Sequence, residues 1–315
     1  MIQTMLYKRV LGALAAAMAF APLQIPAFAQ AEQMQTEDSG PIVLDPLFEY
    51  PMAPEEIEGI EGKSDWLVEN FWNPMDLKSK NAVDQTKLNH AFGVYVTPMR
   101  WAQKEKSLAS IDALLLKLQK NPTLLYQFVK AAEENIYGPR APFYIDEVYV
   151  RFLDALLRNK KVKPIMKTRY QHQFDVLSAT MPGSRAPRFE FEKPDGSDGE
   201  YFPMSTFTII EFGDPSCSDC RMSRLKMESN AALTQAVAKG KVNILFIIPD
   251  NTGEWKDDVA NYPETWVVGA AGDVDDIYDI RLTPTFYTIG ADGNIISKNI
   301  TVDEAVRQAL ENIKQ

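Results

Sequence analysis

Cysteine and histidine, two residues that often build reactive or metal sites, are scarce in this chain of 315 residues. It contains only two of each. A protein that used disulfides for stability would spread its cysteines to close long loops, whereas here Cys217 and Cys220 are separated by two residues. Closing so short a ring removes little entropy from the unfolded chain. The pair therefore indicates redox chemistry rather than stabilisation.

A zinc site is the weaker interpretation of the same pair. Structural zinc takes four protein ligands, so two more would be needed beside the cysteines. His90 and His172 both lie far upstream of them. Glycine-rich phosphate loops and the spacing of a Ser-His-Asp triad are missing as well. We therefore expect neither a metal nor any other cofactor.

Positive charge is also in short supply. The chain has 33 lysines and arginines against 43 aspartates and glutamates, for a formal net charge of −10. An acidic chain repels phosphate backbones and anionic lipids, so nucleic acid is excluded as an expected partner. A hydrophobic content of 45% is ordinary for a globular protein. The length is enough for two domains.

A long apolar run occurs near the start of the chain, at 10–21, after two basic residues. It is too short for a comfortable membrane-spanning helix. Ala27, Phe28 and Ala29 then have the small-x-small form of a signal-peptidase site. We expect a signal peptide over 1–29, cut after Ala29, with export to a bacterial periplasm and no membrane insertion afterwards. The alternative is an uncleaved anchor.

The patterns divide the mature chain into three parts. Residues 30–55 are polar and proline-dotted, which predicts a flexible tail. Residues 56–182 carry apolar side chains at helical spacing, such as Ile111, Leu114, Leu115 and Leu118, which predicts an all-α domain of about five or six helices. Gly183 to Pro187 mark a boundary, and an α/β domain is expected over 185–315.

Strand and helix patterns alternate in the C-terminal part. Strands are predicted at 189–191, 206–212, 242–248, 265–268, 286–289 and 295–297, with a helix from Cys217 to about 238 and a last helix, capped by Asp303, through 313. This order predicts a central mixed sheet flanked by helices.

The cysteine pair follows a predicted strand and opens a predicted helix. Unpaired N–H groups and the dipole at a helix N-terminus favour a thiolate, the attacking species in disulfide exchange, on Cys217. Cys220 lies one turn further and can resolve the mixed disulfide. Negative charge on Asp214 and Asp219 should raise the pKa of Cys217, while two nearby arginines, at 221 and 224, should lower it.

Three segments together resemble the thioredoxin superfamily: Thr208-Ile209-Ile210-Glu211-Phe212, Cys217-Ser218-Asp219-Cys220 and Thr283-Pro284-Thr285-Phe286. A helix-strand insertion between the second and third segments, and the turn Ala291-Asp292-Gly293-Asn294, are most similar to the exported TlpA/ResA-type thiol-disulfide oxidoreductases. The resemblance covers about 185–315. Tyr137-Gly138-Pro139-Arg140-Ala141-Pro142 and Glu147-Val148-Tyr149 resemble an uncharacterised helical domain found ahead of such domains in secreted proteins.

The resemblance implies a role for each matching residue. Cys217 would be the nucleophile and Cys220 the resolving thiol. Pro284 would form a cis peptide bond facing the disulfide, with the backbone of Thr283 binding an extended substrate. Glu211 would be a buried acid that accepts the proton of Cys220. Strand alternation alone leaves open that Glu211 faces solvent instead.

The chain also departs from the family pattern. Many thioredoxins carry a tryptophan just before the first cysteine, and here Pro215 and Ser216 occupy that region. We expect these two residues to contact the substrate in its place.

The function that follows is a periplasmic thiol-disulfide oxidoreductase that acts as a reductase. Its partners would be disulfide-containing proteins and an upstream thiol protein that supplies electrons. The helical domain would select partners or mediate homo-oligomer formation. Two alternatives stay open: a peroxiredoxin-like thiol peroxidase, although the expected threonine before Cys217 is missing, and a non-catalytic secreted binding protein on a thioredoxin scaffold.

Overall fold

The structure is a computed structural model that describes residues 45–79, 81–203, 205–250, 255–260 and 262–313. The expected signal peptide and the part of the expected tail over 30–44 lie outside the described residues. No helix within the described ranges is long and apolar enough to cross a membrane.

Six α-helices precede the sheet in the described part of the chain, in agreement with the five or six expected. They are α1 (Ile60–Asn70), α2 (Gln85–Val96), α3 (Lys104–Leu118), α4 (Pro122–Ile136), α5 (Asp146–Arg158) and α6 (Thr168–Ala179). Each buries one apolar stripe, and the stripes meet in one hydrophobic core that includes Phe92, Leu118, Phe128 and Phe152. Asn121 caps α4 by accepting a hydrogen bond from the N–H of Leu124, with Pro122 in the first turn.

Packed structure begins before residue 56. Residues 45–55 form no helix or strand, yet Leu47, Phe48 and Tyr50 pack against the helical core. The ring of Phe48 lies edge-on to Phe71 and Trp72, with centroids 5.6 and 5.7 Å apart. This part of the expected tail is therefore held by aromatic contacts.

A mixed sheet forms the centre of the C-terminal half. Its strands are β1 (Phe189–Glu192), β2 (Asp198–Tyr201), β3 (Phe207–Phe212), β4 (Val242–Ile248), β5 (Val267–Ala270), β6 (Thr285–Ile289) and β7 (Ile295–Ile300). The order across the sheet is β2-β1-β5-β4-β3-β6-β7. Strands β3, β4 and β5 are parallel neighbours, whereas β6 and β7 are antiparallel.

Helices flank this sheet, as the sequence pattern predicts. They are α7 (Ser218–Ser229), α8 (Ala231–Ala238), α9 (Trp255–Asp258) and α10 (Val302–Asn312). The side chains of β3 alternate between its two faces: Phe207 and Ile209 join the core under α8 and α10, while Ile210 and Phe212 join the core on the opposite face. Both faces of β3 are therefore buried, and the strand lies in the middle of the sheet.

Three sequence expectations differ from the structure. Strand β2 was not expected, because its Asp-Gly-Glu-Tyr sequence is a polar edge strand without apolar alternation. The single helix expected from Cys217 breaks at Asn230, whose side chain caps α8. The last helix is capped by Thr301, which accepts from the N–H of Glu304, so the assignment of the cap to Asp303 was wrong.

Candidate active site

Cys217 is the N-cap residue of α7, at the end of the loop that follows β3. Its thiol is partly exposed, and both cysteines are free thiols. The N–H of Cys220 lowers the pKa of Cys217 below its ordinary value of 9.0, helped by the Cys220 thiol and the N–H of Asp219. Burial and the charge of Asp219 oppose this shift. The expected effect of Asp219 is thus present but smaller than that of the helix N-terminus.

The loop before Cys217 is fixed by local hydrogen bonds. The side chain of Asp214 accepts from both the N–H and the hydroxyl of Ser216, each at 2.7 Å. The N–H of Cys217 donates to the carbonyl oxygen of Asp214 at 3.0 Å. Arg221 donates to the carbonyl oxygen of Ser216 at 2.8 Å, so its charge is used to hold this loop. These contacts fix the conformation of the loop between β3 and α7, and so the position of Cys217.

Cys220 is fully buried, one turn into α7. The N–H of Asp214 donates to its sulfur at 3.4 Å. Burial raises the pKa of Cys220 to about 12, and this effect exceeds that of the hydrogen bond. The two sulfurs therefore differ in the properties that set reactivity: Cys217 is partly exposed and has a lowered pKa, whereas Cys220 is buried and has a raised pKa.

The space around Cys220 is closed by Gly213 and Phe246. A methyl group on Gly213 would lie 2.8 Å from the ring of Phe246 and 3.3 Å from the sulfur of Cys220. Phe246 itself packs on Tyr262, with ring centroids 4.8 Å apart. Only glycine leaves room for this close packing beneath the thiol.

Glu211 lies in the middle strand with its side chain buried. Both carboxyl oxygens lack a hydrogen-bond partner among the described residues. Burial raises the pKa of Glu211 well above 4.5, with a further contribution from the charge of Cys217, while Arg224 opposes the shift. Because Glu211 and Cys220 also interact electrostatically, the carboxyl group is close enough to influence the Cys220 thiol. The alternative that Glu211 faces solvent is excluded.

The loop before β6 approaches Cys217 from the other side. The peptide bond between Thr283 and Pro284 is cis. The Cys217 thiol points at the carbonyl oxygen of Thr283, 4.0 Å away. Thr283 and Pro284 are both partly exposed, whereas Thr285 is buried at the start of β6. The Cys217 sulfur and the Thr283 carbonyl group therefore meet at a partly exposed position.

The structure brings most of the expected site residues together. Ser216 is exposed beside Cys217, whereas Pro215 is buried. Contact of these two residues with a substrate stays a prediction, and the burial of Pro215 weighs against its part in it. No cluster of three or more histidine, cysteine, aspartate or glutamate side chains suited to a metal ion occurs within the described ranges.

The sequence patterns did not identify Tyr262, an aromatic residue beside the site. Arg224 lies over the ring of Tyr262 at 4.7 Å and pairs with Glu228 at 3.2 Å, which places its charge beside Glu211. Tyr262 follows α9 in the insertion before β5, far from the motif in sequence. Its aromatic type was visible, but no local pattern tied it to the cysteines.

Comparison with known proteins supports the two-part organisation. Residues 26–180 match the model of a family described as a domain of unknown function, DUF5106. No curated protein matches the chain. A thioredoxin-like protein from Bacteroides caccae has a similar structure, with a TM-score of 0.71 over 86% of this chain and 100% of that chain, at 18% sequence identity. The chain thus has a thioredoxin-like fold preceded by a helical region.

Two further solved structures match a part of the chain. One is a conserved protein of unknown function from Bacteroides fragilis, 29% identical, which pairs 41% of this chain with 98% of that chain at a TM-score of 0.38. The other is the thioredoxin domain of a thiol-disulfide oxidoreductase from Bacteroides vulgatus, 20% identical, which pairs 42% of this chain with 96% of that chain at a TM-score of 0.37.

Proposed function

We propose that the protein is a thiol-disulfide oxidoreductase that reduces disulfides in other proteins through Cys217 and Cys220. The observation that carries this proposal is the contrast between the two sulfurs. Cys217 is partly exposed with a lowered pKa, and Cys220 is buried with a pKa of about 12. Two equivalent surface thiols would not be expected to differ in this way.

The reaction starts from the dithiol. The Cys217 thiolate attacks one sulfur of a substrate disulfide, the substrate S–S bond breaks, and the other substrate sulfur leaves as a thiolate that takes up a proton. The result is a mixed disulfide between Cys217 and the substrate. An extended substrate segment lies against the Thr283 backbone during this step.

Resolution then requires Cys220 to lose its proton. Ionised Glu211 accepts that proton, either directly or through water, because its raised pKa makes it a stronger base than an exposed carboxylate. The Cys220 thiolate attacks Cys217, the mixed disulfide breaks, and the second substrate thiolate is released. Two electrons have passed to the substrate, and Cys217 and Cys220 are joined in a disulfide. A second thiol protein restores the dithiol.

The N-terminal sequence supports a periplasm as the place of this reaction. The basic residues, the short apolar run and the site at Ala27-Phe28-Ala29 support a signal peptide cut after Ala29 and release into a periplasm. There the substrates are disulfide-containing proteins, and the electron donor is another thiol protein. Edman sequencing of the protein recovered from a periplasmic fraction tests this part, since the first residue should be Gln30.

An insulin-reduction assay with dithiothreitol as electron source tests the activity. The wild type should accelerate the precipitation of insulin chains, and Cys217→Ala should not. Equal rates for the two proteins, at or near the uncatalysed rate, would favour a binding protein on this scaffold. Rapid peroxide consumption that depends on Cys217, without insulin reduction, would favour the peroxidase.

A further inference from the structure

A buried group of charges links the loop that carries Pro284 to the helical domain. Arg281 lies three residues before Pro284, and its side chain is only 4% exposed. Its guanidinium group holds the carboxylate of Asp279 in a two-pronged contact, at 3.0 Å from Nε and 2.6 Å from Nη2. This first contact closes the loop on itself.

The same guanidinium group also reaches out of the thioredoxin-like region. Its Nη2 donates to Asp146, the first residue of α5, at 2.6 Å. Lys298 of β7 completes the ring, with its Nζ 2.8 Å from Asp279 and 3.0 Å from Asp146. Two acids and two bases thus lie together with no net charge, and their side chains are between 2% and 14% exposed. Each carboxylate contacts both cations, so each of the four groups depends on the others.

Aromatic rings from the helical domain hold the guanidinium group. It lies 4.2 Å from the ring centroid of Tyr137 and 4.3 Å from that of Tyr144. Tyr137 in turn stacks on Tyr149 of α5, with centroids 4.4 Å apart. Both tyrosines that touch Arg281 belong to the segment between α4 and α5. A planar guanidinium fits such a site through stacking and cation–π attraction, which an ammonium group matches poorly.

Because of these contacts, the loop that carries Arg281 cannot move without breaking its ion pairs with the helical domain. A buried charge that loses its partner is strongly destabilising, so Arg281 leaves this site only at a large cost in free energy. Two and three residues further on, Thr283 and Pro284 are partly exposed, and the carbonyl oxygen of Thr283 faces Cys217. One end of this segment is therefore held by the helical domain, and the other end lies at the active site.

We propose that the helical domain positions the Thr283–Pro284 loop for substrate, with Asp146 and Arg281 as the positioning residues. This inference rests on the proposed function, since the loop is taken to bind substrate there. By holding this loop, the helical domain contributes to the thiol-disulfide exchange site of the same chain. Displacement of the loop by a fraction of an ångström would slow reaction with a protein disulfide, because reacting groups must be aligned. Reaction of Cys217 with a small reagent needs no such alignment with the loop.

The test compares Asp146→Asn and Arg281→Lys with a matched control, Asp65→Asn. Asp65 is another buried aspartate, 6% exposed, which pairs with Lys106 at 2.8 Å wholly within the helical domain. Each protein is purified in full, reduced, and reacted with insulin and with 5,5′-dithiobis(2-nitrobenzoate). Hydrogen exchange of the peptide that spans 279–285 is followed by mass spectrometry, in wild type and all variants.

The positioning role predicts a split between the two reagents. Asp146→Asn should lower the second-order rate with insulin about tenfold and leave the rate with the small reagent within about twofold. Loop amides should exchange about tenfold faster in Asp146→Asn, but not in Asp65→Asn. Arg281→Lys keeps the charge and loses the planar contact, and it should fall between wild type and Asp146→Asn.

Two results would overturn the inference: loop exchange that is the same in Asp146→Asn and wild type, or insulin and loop-exchange effects of equal size in Asp146→Asn and Asp65→Asn. The second result would mean that Asp146 serves only general stability. If the wild type itself failed to reduce insulin, the proposed function would fail, but hydrogen exchange would still decide whether Asp146 anchors the loop.

Discussion

The sulfur of Cys217 lies 4.0 Å from the carbonyl oxygen of Thr283, across the gap between the start of α7 and the loop before β6. The two residues are 66 positions apart in the chain and meet because β3 and β6 are antiparallel neighbours in the sheet. This meeting places a partly exposed thiol with a lowered pKa beside the backbone of Thr283.

The difference between the two sulfurs should appear in alkylation. At pH 7 iodoacetamide should label Cys217 and leave Cys220 untouched, because Cys220 is buried with a pKa of about 12. The rate for Cys217 should rise with pH and level off with a midpoint below 9.0, since only the thiolate reacts. Peptide mapping by mass spectrometry measures both sites, with Cys220→Ala as the control. A midpoint at or above 9.0 would contradict the assigned environment of Cys217.

Glu211 should make the protein less stable as the pH rises. Its pKa is raised by folding, so the native state holds the proton more tightly than the unfolded state does. The stability contributed by the protonated form is complete below about pH 4.5 and is lost as the pH rises through the native pKa. Glu211→Gln is neutral throughout, so in urea unfolding its advantage over wild type should grow with pH, to about 1–3 kcal/mol.

Glu190→Gln is the matched control for this prediction, since Glu190 is an exposed glutamate on β1. Its free energy of unfolding should follow that of the wild type at each pH. A Glu211→Gln variant that is less stable than wild type at pH 8 would show that the carboxylate is stabilised by contacts absent from this account.

Gly213→Ala should destabilise the protein and disturb the packing around the Cys220 thiol. The added methyl would meet the Phe246 ring at 2.8 Å, and overpacking of this kind costs about 1–3 kcal/mol. In a Phe246→Leu background the ring is gone, so the same methyl should cost less. Urea unfolding of the four proteins gives the coupling energy. Additive changes in the free energy of unfolding would mean that the methyl group at position 213 does not clash with the ring of Phe246.

Thr301→Ala should lower the stability of the last helix. The Thr301 hydroxyl accepts from the N–H of Glu304 at 3.3 Å, and loss of an N-cap costs about 1 kcal/mol. Asp303→Ala removes an exposed ion pair with Lys226 and should cost less, because surface ion pairs contribute about 0–1 kcal/mol. Thermal unfolding of both variants gives the comparison. A larger loss of stability in Asp303→Ala than in Thr301→Ala would support Asp303 as the cap, as the sequence predicted.

Local patterns predicted the parts of this fold that local physics determines. The apolar run of β4 and the helical stripes of the N-terminal region specify buried strands and helices without knowledge of their partners. The same is true of Cys217, since a strand followed by a helix places it at a helix N-terminus. The fold class followed from the order of these elements.

Contacts between distant residues could not be predicted in this way. The period of β3 shows that Glu211 shares a face with Ile209, but only the sheet order shows that both faces are buried. Tyr262 and Phe246 reach Cys220 from separate strands and loops. Asp146 and Arg281 are 135 positions apart, and each looks like an ordinary charged residue until the two regions are packed together. Pro215 was assigned to the substrate surface by its neighbour in sequence, whereas its burial depends on packing.

Trapping of the mixed disulfide shows whether Cys217 attacks a substrate disulfide. Reduced Cys220→Ala is mixed with oxidised insulin, quenched with acid, and analysed by non-reducing electrophoresis and mass spectrometry. We expect a covalent complex through Cys217, which wild type resolves quickly and which Cys217→Ala never forms. Absence of the complex in Cys220→Ala, or an equal yield of the complex in Cys217→Ala, would contradict the role of Cys217 as the attacking thiol.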